Sequence, residues 1–169
     1  MLKAIEERLK RLAAEGNNDF HDQIRRRVGK RATQLLEQRL RNLIHLMPKL
    51  LTQSLVHCNR KEIPSSLKRE IGFLLAYLYQ PHDFLPEDNQ RLFGYLDDAY
   101  CVAIVYDKIL RHLRKTGVPL SANDEQFAAQ FALIKRSVKA VIPQEARKIS
   151  EMLAGISKND NELFYTAFS

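Results

Sequence analysis

Apolar residues recur along this chain at intervals of three and four, the spacing of one helix face, and no long strand-like alternation interrupts them. Leu2, Ile5, Leu9 and Leu12 form a narrow first stripe. Gly16-Asn17-Asn18 reads as a helix stop followed by a start. Phe20, Ile24 and Val28 continue at i, i+4 and i+8, and the stripe then runs through Leu35, Leu36, Leu40, Leu43, Ile44, Met47, Leu50, Leu51 and Leu55. This run predicts either one very long helix or two broken near Gly29. Pro48 should kink it, because its ring removes a backbone bond and crowds the turn before. Cys58 to Lys61 ends that element, and the next begins at Pro64 or Ser65 and reaches about Tyr79.

Gln80 to Asn89 holds two prolines, which force extended geometry at Gln80 and Leu85 and predict a loop. A helix from about Gln90 to Arg114 follows. Its middle, Ala99 to Tyr106, is apolar on all sides, so it should be the buried central element. Gly117 to Leu120 is a connector, and Ser121 to Asp124 fits a capping-box-like start for a helix to about Val141. Pro143 restarts the chain to about Leu153, with Gly155 as the stop. Asn159 and Glu162 open a short last helix whose Leu163, Phe164, Tyr165 and Phe168 should dock back. The pattern predicts an all-α fold: a single-domain helical bundle of about six to eight helices with a central buried helix near 90–114. Basic N-terminal helices occupy 1–61, the core 62–115 and C-terminal helices 116–169, all packed as one domain.

Composition changes this picture little. A chain of 169 residues suits one domain and can bury roughly 70% of its unfolded surface, so it needs no covalent staple. Cys58 and Cys101 are too few for a disulfide scaffold and lack metal-ligand spacing; they read as free thiols in a reducing cytoplasm. The charged start carries no signal-peptide pattern. The longest uncharged apolar stretches, Ile71 to Pro81 and Ala99 to Tyr106, fall short of the ~20 residues of a membrane span. A soluble protein without a transmembrane segment is expected.

Charge changes it more. The formal net charge is +7, yet residues 1–61 hold 14 Lys/Arg against 6 Asp/Glu, while the remaining two thirds are near neutral. Arg25, Arg26, Arg27, Lys30 and Arg31 fall within seven positions. With Phe20, Ile24 and Val28 facing a core, Arg26, Arg27 and Lys30 point elsewhere. Such a helix could hold phosphates by charge alone. It could also rest on anionic lipid headgroups if its apolar face were free. The plainer alternative is a solvated face, some of whose arginines pair with Asp19, Asp22 or Glu37.

Between residues 64 and about 110, Lys68, Ala76-Tyr77-Leu78, Pro81, Asp83, Pro86 and Gly94-Tyr95-Leu96-Asp97-Asp98 stand in an order that resembles the YkvA-like family, a bacterial domain of unknown function. Gln80, His82, Leu85 and Glu87 stand where that pattern has serine, an aliphatic residue, isoleucine and aspartate. The resemblance implies a helical core and singles out Lys68, Tyr77, Pro81, Asp83, Pro86, Gly94, Asp97 and Asp98 as a motif. It implies no activity. Lys68, Arg69, Glu70, Asp107 and Lys108 on the flanking helices argue against their entering a membrane.

Two chemistries suit the acidic centre. Asp83 with Asp97 or Asp98 could converge on a hard divalent cation, and His82 would shift the preference toward a transition metal. Alternatively, Asp83 caps the segment after it, Asp97 and Asp98 favour a helix N-terminus, and Lys68 neutralises a buried carboxylate. Neighbours on a helix diverge by about 100°, so one of Asp97 and Asp98 is expected inside and the other in water. No catalytic residue emerges: there is no nucleophile–base pair, and His21, His45, His57 and His112 are dispersed. The leading expectation is a non-enzymatic helical interaction or scaffold domain, without a cofactor, whose partner is a protein or its own copy. The alternatives are a module for nucleic acid or an anionic membrane surface, and a metal-dependent hydrolase at Asp83, Asp97 and Asp98.

Overall fold

Where the apolar stripe meets a capping residue, a helix begins. In the computed structural model, which describes residues 2–15, 18–78, 84–85 and 91–158, seven α-helices follow one another. They are α1 (Leu2–Ala14), α2 (Asn18–Val28), α3 (Gln34–Cys58), α4 (Ser65–Tyr77), α5 (Leu96–Lys115), α6 (Ala122–Val141) and α7 (Pro143–Ser157). No strand occurs among the described residues. The fold is the expected all-α bundle. The loop residues Pro81, His82, Asp83, Pro86, Glu87 and Asp88, and the short last helix expected after Asn159, lie outside the described residues.

The long N-terminal run is two helices. Gly29 takes a left-handed φ of 58°, which favours glycine, and a 3-10 turn of Gly29–Arg31 follows it. The Thr33 side chain then accepts the Leu36 N–H, a cap that restarts the chain as α3. α3 passes through Pro48 unbroken; its Thr52 and Ser54 hydroxyls each donate to the carbonyl four residues back. The expected capping box of α6 is present in full, Ser121 and Asp124 bonding each other's backbone N–H.

Two boundaries differ from the sequence reading. Residues Arg91–Tyr95 form a 3-10 turn, and the α-helix begins only at Leu96, with Asp97 and Asp98 in its first turn, where their charge suits the helix dipole. Gly155 does not stop α7, which continues to Ser157 while Ile156 packs against the core.

α5 is the centre of the bundle. Its residues from Leu96 to Ala103 are all buried, and it packs against α3, α4, α6 and α7. Every described α-helix contributes at least one side chain to a single hydrophobic core, from Leu9 of α1 to Leu153 of α7. Arg39 meets Ser137 near one end of the α3–α6 contact, and Leu50 and Gln53 face Asn123 and Phe127 toward the other, so α3 and α6 run antiparallel. α2 lies with Phe20 edge-on to Phe93 at 5.7 Å, which fixes its apolar face inward.

Candidate functional site

Of the motif residues within the described structure, Tyr77, Gly94, Asp97 and Asp98 gather where α4 ends and α5 begins. Asp97 is fully buried. Its Oδ2 accepts the Tyr77 hydroxyl at 3.2 Å and the N–H groups of Phe84 and Leu85, each at 3.1 Å; its Oδ1 accepts the Asp98 N–H at 2.9 Å. Among the described residues four donors thus meet this carboxylate, three of them crowded on Oδ2. One side chain thereby ties together the last turn of α4, the Phe84–Leu85 segment and the first turn of α5. Phe84 is held further by the Tyr77 ring at 6.1 Å and by Lys148 of α7 over its face at 5.8 Å. Leu85 is buried.

Asp98 is buried as well, at 2% exposure, so the expectation that one of the pair faces water does not hold. The reason is the enclosure of α5 on every side, including its first turn. Gly94 is buried in the preceding 3-10 turn. Lys68, expected to neutralise a buried carboxylate, is exposed on α4. That task falls to Lys108, whose ammonium lies 2.8 Å from the buried Glu70 and bridges α5 to α4. Glu70 shares the stripe Leu67, Ile71 and Leu74, and this spacing was the sequence signal that a carboxylate would be carried inside. Burial pushes the Cys101 thiol well above its usual range, and Asp98, Asp97 and Glu70 push it further against the opposing Lys108. A thiol so held stays protonated and is no nucleophile.

A second polar group, which the sequence did not single out, lies between α3, α5 and α6. Tyr106 donates its hydroxyl to Asp124, and its ring stands between His57, 6.2 Å away, and Phe127, 5.2 Å away. Among the described residues neither ring nitrogen of the buried His57 has a hydrogen-bond partner. Burial lowers the His57 pKa; Asp124 partly opposes this and Arg60 adds to it. Burial likewise works against the Asp124 carboxylate, but hydrogen bonds from Tyr106 and Ser121 outweigh it and hold its pKa below the ordinary value. Tyr106 and Asp124 line a groove of about 430 Å³ with Lys49, Leu50, Gln53 and Phe127. Burial and then Asp124 raise the Tyr106 pKa, so its phenol keeps its proton near neutrality and serves as neither base nor nucleophile.

The basic cluster divides. Arg27 is engaged: its guanidinium covers the Phe93 ring at 5.2 Å and reaches Glu145 of α7 at 3.3 Å. Arg25, Arg26, Lys30 and Arg31 are exposed. Glu37 pairs with Arg41 and His21, not with this cluster.

Among the described residues no group of three or more His, Cys, Asp or Glu side chains is arranged to hold a metal, and no helix is long and apolar enough to cross a membrane. No protein-family model, curated protein or solved structure matches this chain.

Proposed function

We propose that this chain is a non-enzymatic helical interaction domain. In this reading the acidic motif that resembles the YkvA-like family is a fold-locking network, and the interacting surface is the exposed cationic end of α2. One observation carries the reading: both oxygens of Asp97 are taken up by internal N–H and O–H donors. A carboxylate serving as a general base or metal ligand needs a lone pair turned toward substrate or cation. Oδ2 of Asp97 instead faces three converging donors. The free state of Cys58 and Cys101 agrees with a reducing, cytoplasmic setting.

The competing hydrolase reading makes an opposite forecast about cations. Binding to the native state alone raises stability by mass action, by about 2.7 kcal/mol at a hundredfold excess over Kd. Melting curves in millimolar Mg²⁺, Mn²⁺, Ca²⁺ and Zn²⁺ should therefore superimpose on the curve in chelator. A rise of several degrees with any one of them, abolished by Asp97→Asn, would overturn the interaction-domain reading.

A further inference from the structure

We infer that the C-terminal end of α2 and the 3-10 turn after it form a binding surface for the phosphate backbone of double-stranded nucleic acid. The inference rests on the reading of the chain as an interaction domain and names its partner. Arg25, Arg26, Lys30 and Arg31 are exposed, and none of the four has an ion-pair partner among the described residues. Two acidic groups nearby are already occupied, Glu37 by Arg41 and His21, Glu145 by Arg27. Asp19 and Asp22 pair with none of the four among the described residues, and Asp22 shares a shallow recess with Arg25 and Arg26.

From Arg25 to Arg31 the backbone advances roughly 10 Å, about three phosphates of one strand measured along a duplex. Guanidinium groups suit that target because they meet phosphate oxygens bidentately. A lipid surface is the poorer fit. An interfacial helix needs its apolar face in the bilayer, whereas Phe20 and Ile24 are 2% and 0% exposed and committed to the core. Single-stranded bases are poorly served too: from residue 19 to 31 the rings are the buried Phe20 and the imidazole of His21, which is bonded to Glu37, so no row of stacking rings is on offer. Contacts to the backbone without base readout remain, and these bind with little sequence preference.

Three or four phosphate contacts give a salt slope of about −3, so affinity for a duplex should fall roughly 40- to 150-fold between 50 and 200 mM NaCl. The test is fluorescence anisotropy of a labelled duplex of about 20 base pairs of arbitrary sequence with the full chain. A parallel arm measures sedimentation with phosphatidylserine-containing vesicles. The Arg26→Ala/Lys30→Ala/Arg31→Ala variant should lose at least about tenfold in affinity at 50 mM salt and flatten the slope by two to three units. Its melting temperature should hold, since these side chains bury nothing. If it does not fold, the milder Arg26→Gln/Lys30→Gln variant carries the same test with a slope change of about two. No duplex binding at 50 mM, binding indifferent to these substitutions, or binding to vesicles without the duplex would each overturn the assignment. Those outcomes leave the interaction-domain reading standing, because that reading fails on cation-dependent stabilisation instead.

Discussion

Asp97 and His57 are both buried polar side chains, and their surroundings give them opposite consequences. Among the described residues Asp97 is met by four donors, whereas His57 is met by the Tyr106 ring. A buried polar group without a partner costs about 1–3 kcal/mol. A depressed histidine pKa also links stability to pH. Below the unfolded value of 6.5 the unfolded chain takes up a proton that the native chain resists, so the contribution is complete above that pH and is lost as pH falls through the native value. The slope from one such group is at most about 1.4 kcal/mol per pH unit. His57→Phe should therefore be at least as stable as the parent in urea at pH 7.5 and lose less stability on going to pH 5.5. A loss above about 2 kcal/mol at pH 7.5 would show that the imidazole has a hydrogen-bonding role. The sequence told little at this scale. Tyr77, Gly94, Asp97 and Asp98 were singled out, but that Asp97 would gather its donors depends on Phe84 and Leu85 folding back over it, contacts separated by 13 and 12 positions.

Elements were far more legible, because periodicity and capping are local. The stripe of α3, the break at Gly29, the capping box of Ser121 and the restart at Pro143 all follow from residues within a turn or two. Errors came where packing overrides local preference: Gly155 stays helical because Ile156 is held by the core, and residues Arg91–Tyr95 wind as a 3-10 turn beneath α1 and α2. The α4–α5 contact offers the clearest energetic test of an element pair. Lys108→Met would leave Glu70, 1% exposed, without its cation. Breaking a buried pair costs about 3–5 kcal/mol, and the lower end applies because Lys108 is one-third exposed. Glu70→Gln added to Lys108→Met should recover most of that loss, since the stranded charge is then gone. Equal losses in the single and double variants, measured by urea unfolding, would place the cost in packing instead.

At the scale of the whole molecule, two charge distributions are kept apart. Carboxylates are drawn inward around α5, where Glu70, Asp97, Asp98 and Asp107 are all buried. Cations collect at the surface on α2 and the turn after it. Charge asymmetry along the sequence announced the second of these but not its limits. Arg27 looks equivalent to its neighbours in the sequence, yet Phe93 and Glu145, from two distant elements, take it out of the exposed group. A cationic surface on a fold that pairs Glu70 with Lys108, Asp107 with Arg111 and Asp97 with internal donors suits the proposed binding module, with stability and recognition assigned to different residues.

That division of labour is what Asp97 tests most directly. Side chains poised for chemistry are commonly held at a cost to the fold, so neutralising them tends to leave stability unchanged or improve it. A carboxylate that closes a buried network behaves in the opposite way. Asp97→Asn keeps the shape but sets an amide N–H₂ or a weaker carbonyl acceptor against donors that now meet a charge. Equilibrium urea unfolding of this variant beside the parent should show a loss of about 3 kcal/mol with an unchanged m value. An Asp97→Asn protein as stable as the parent, or more stable, would contradict the account and return the acidic motif to candidacy as an active site.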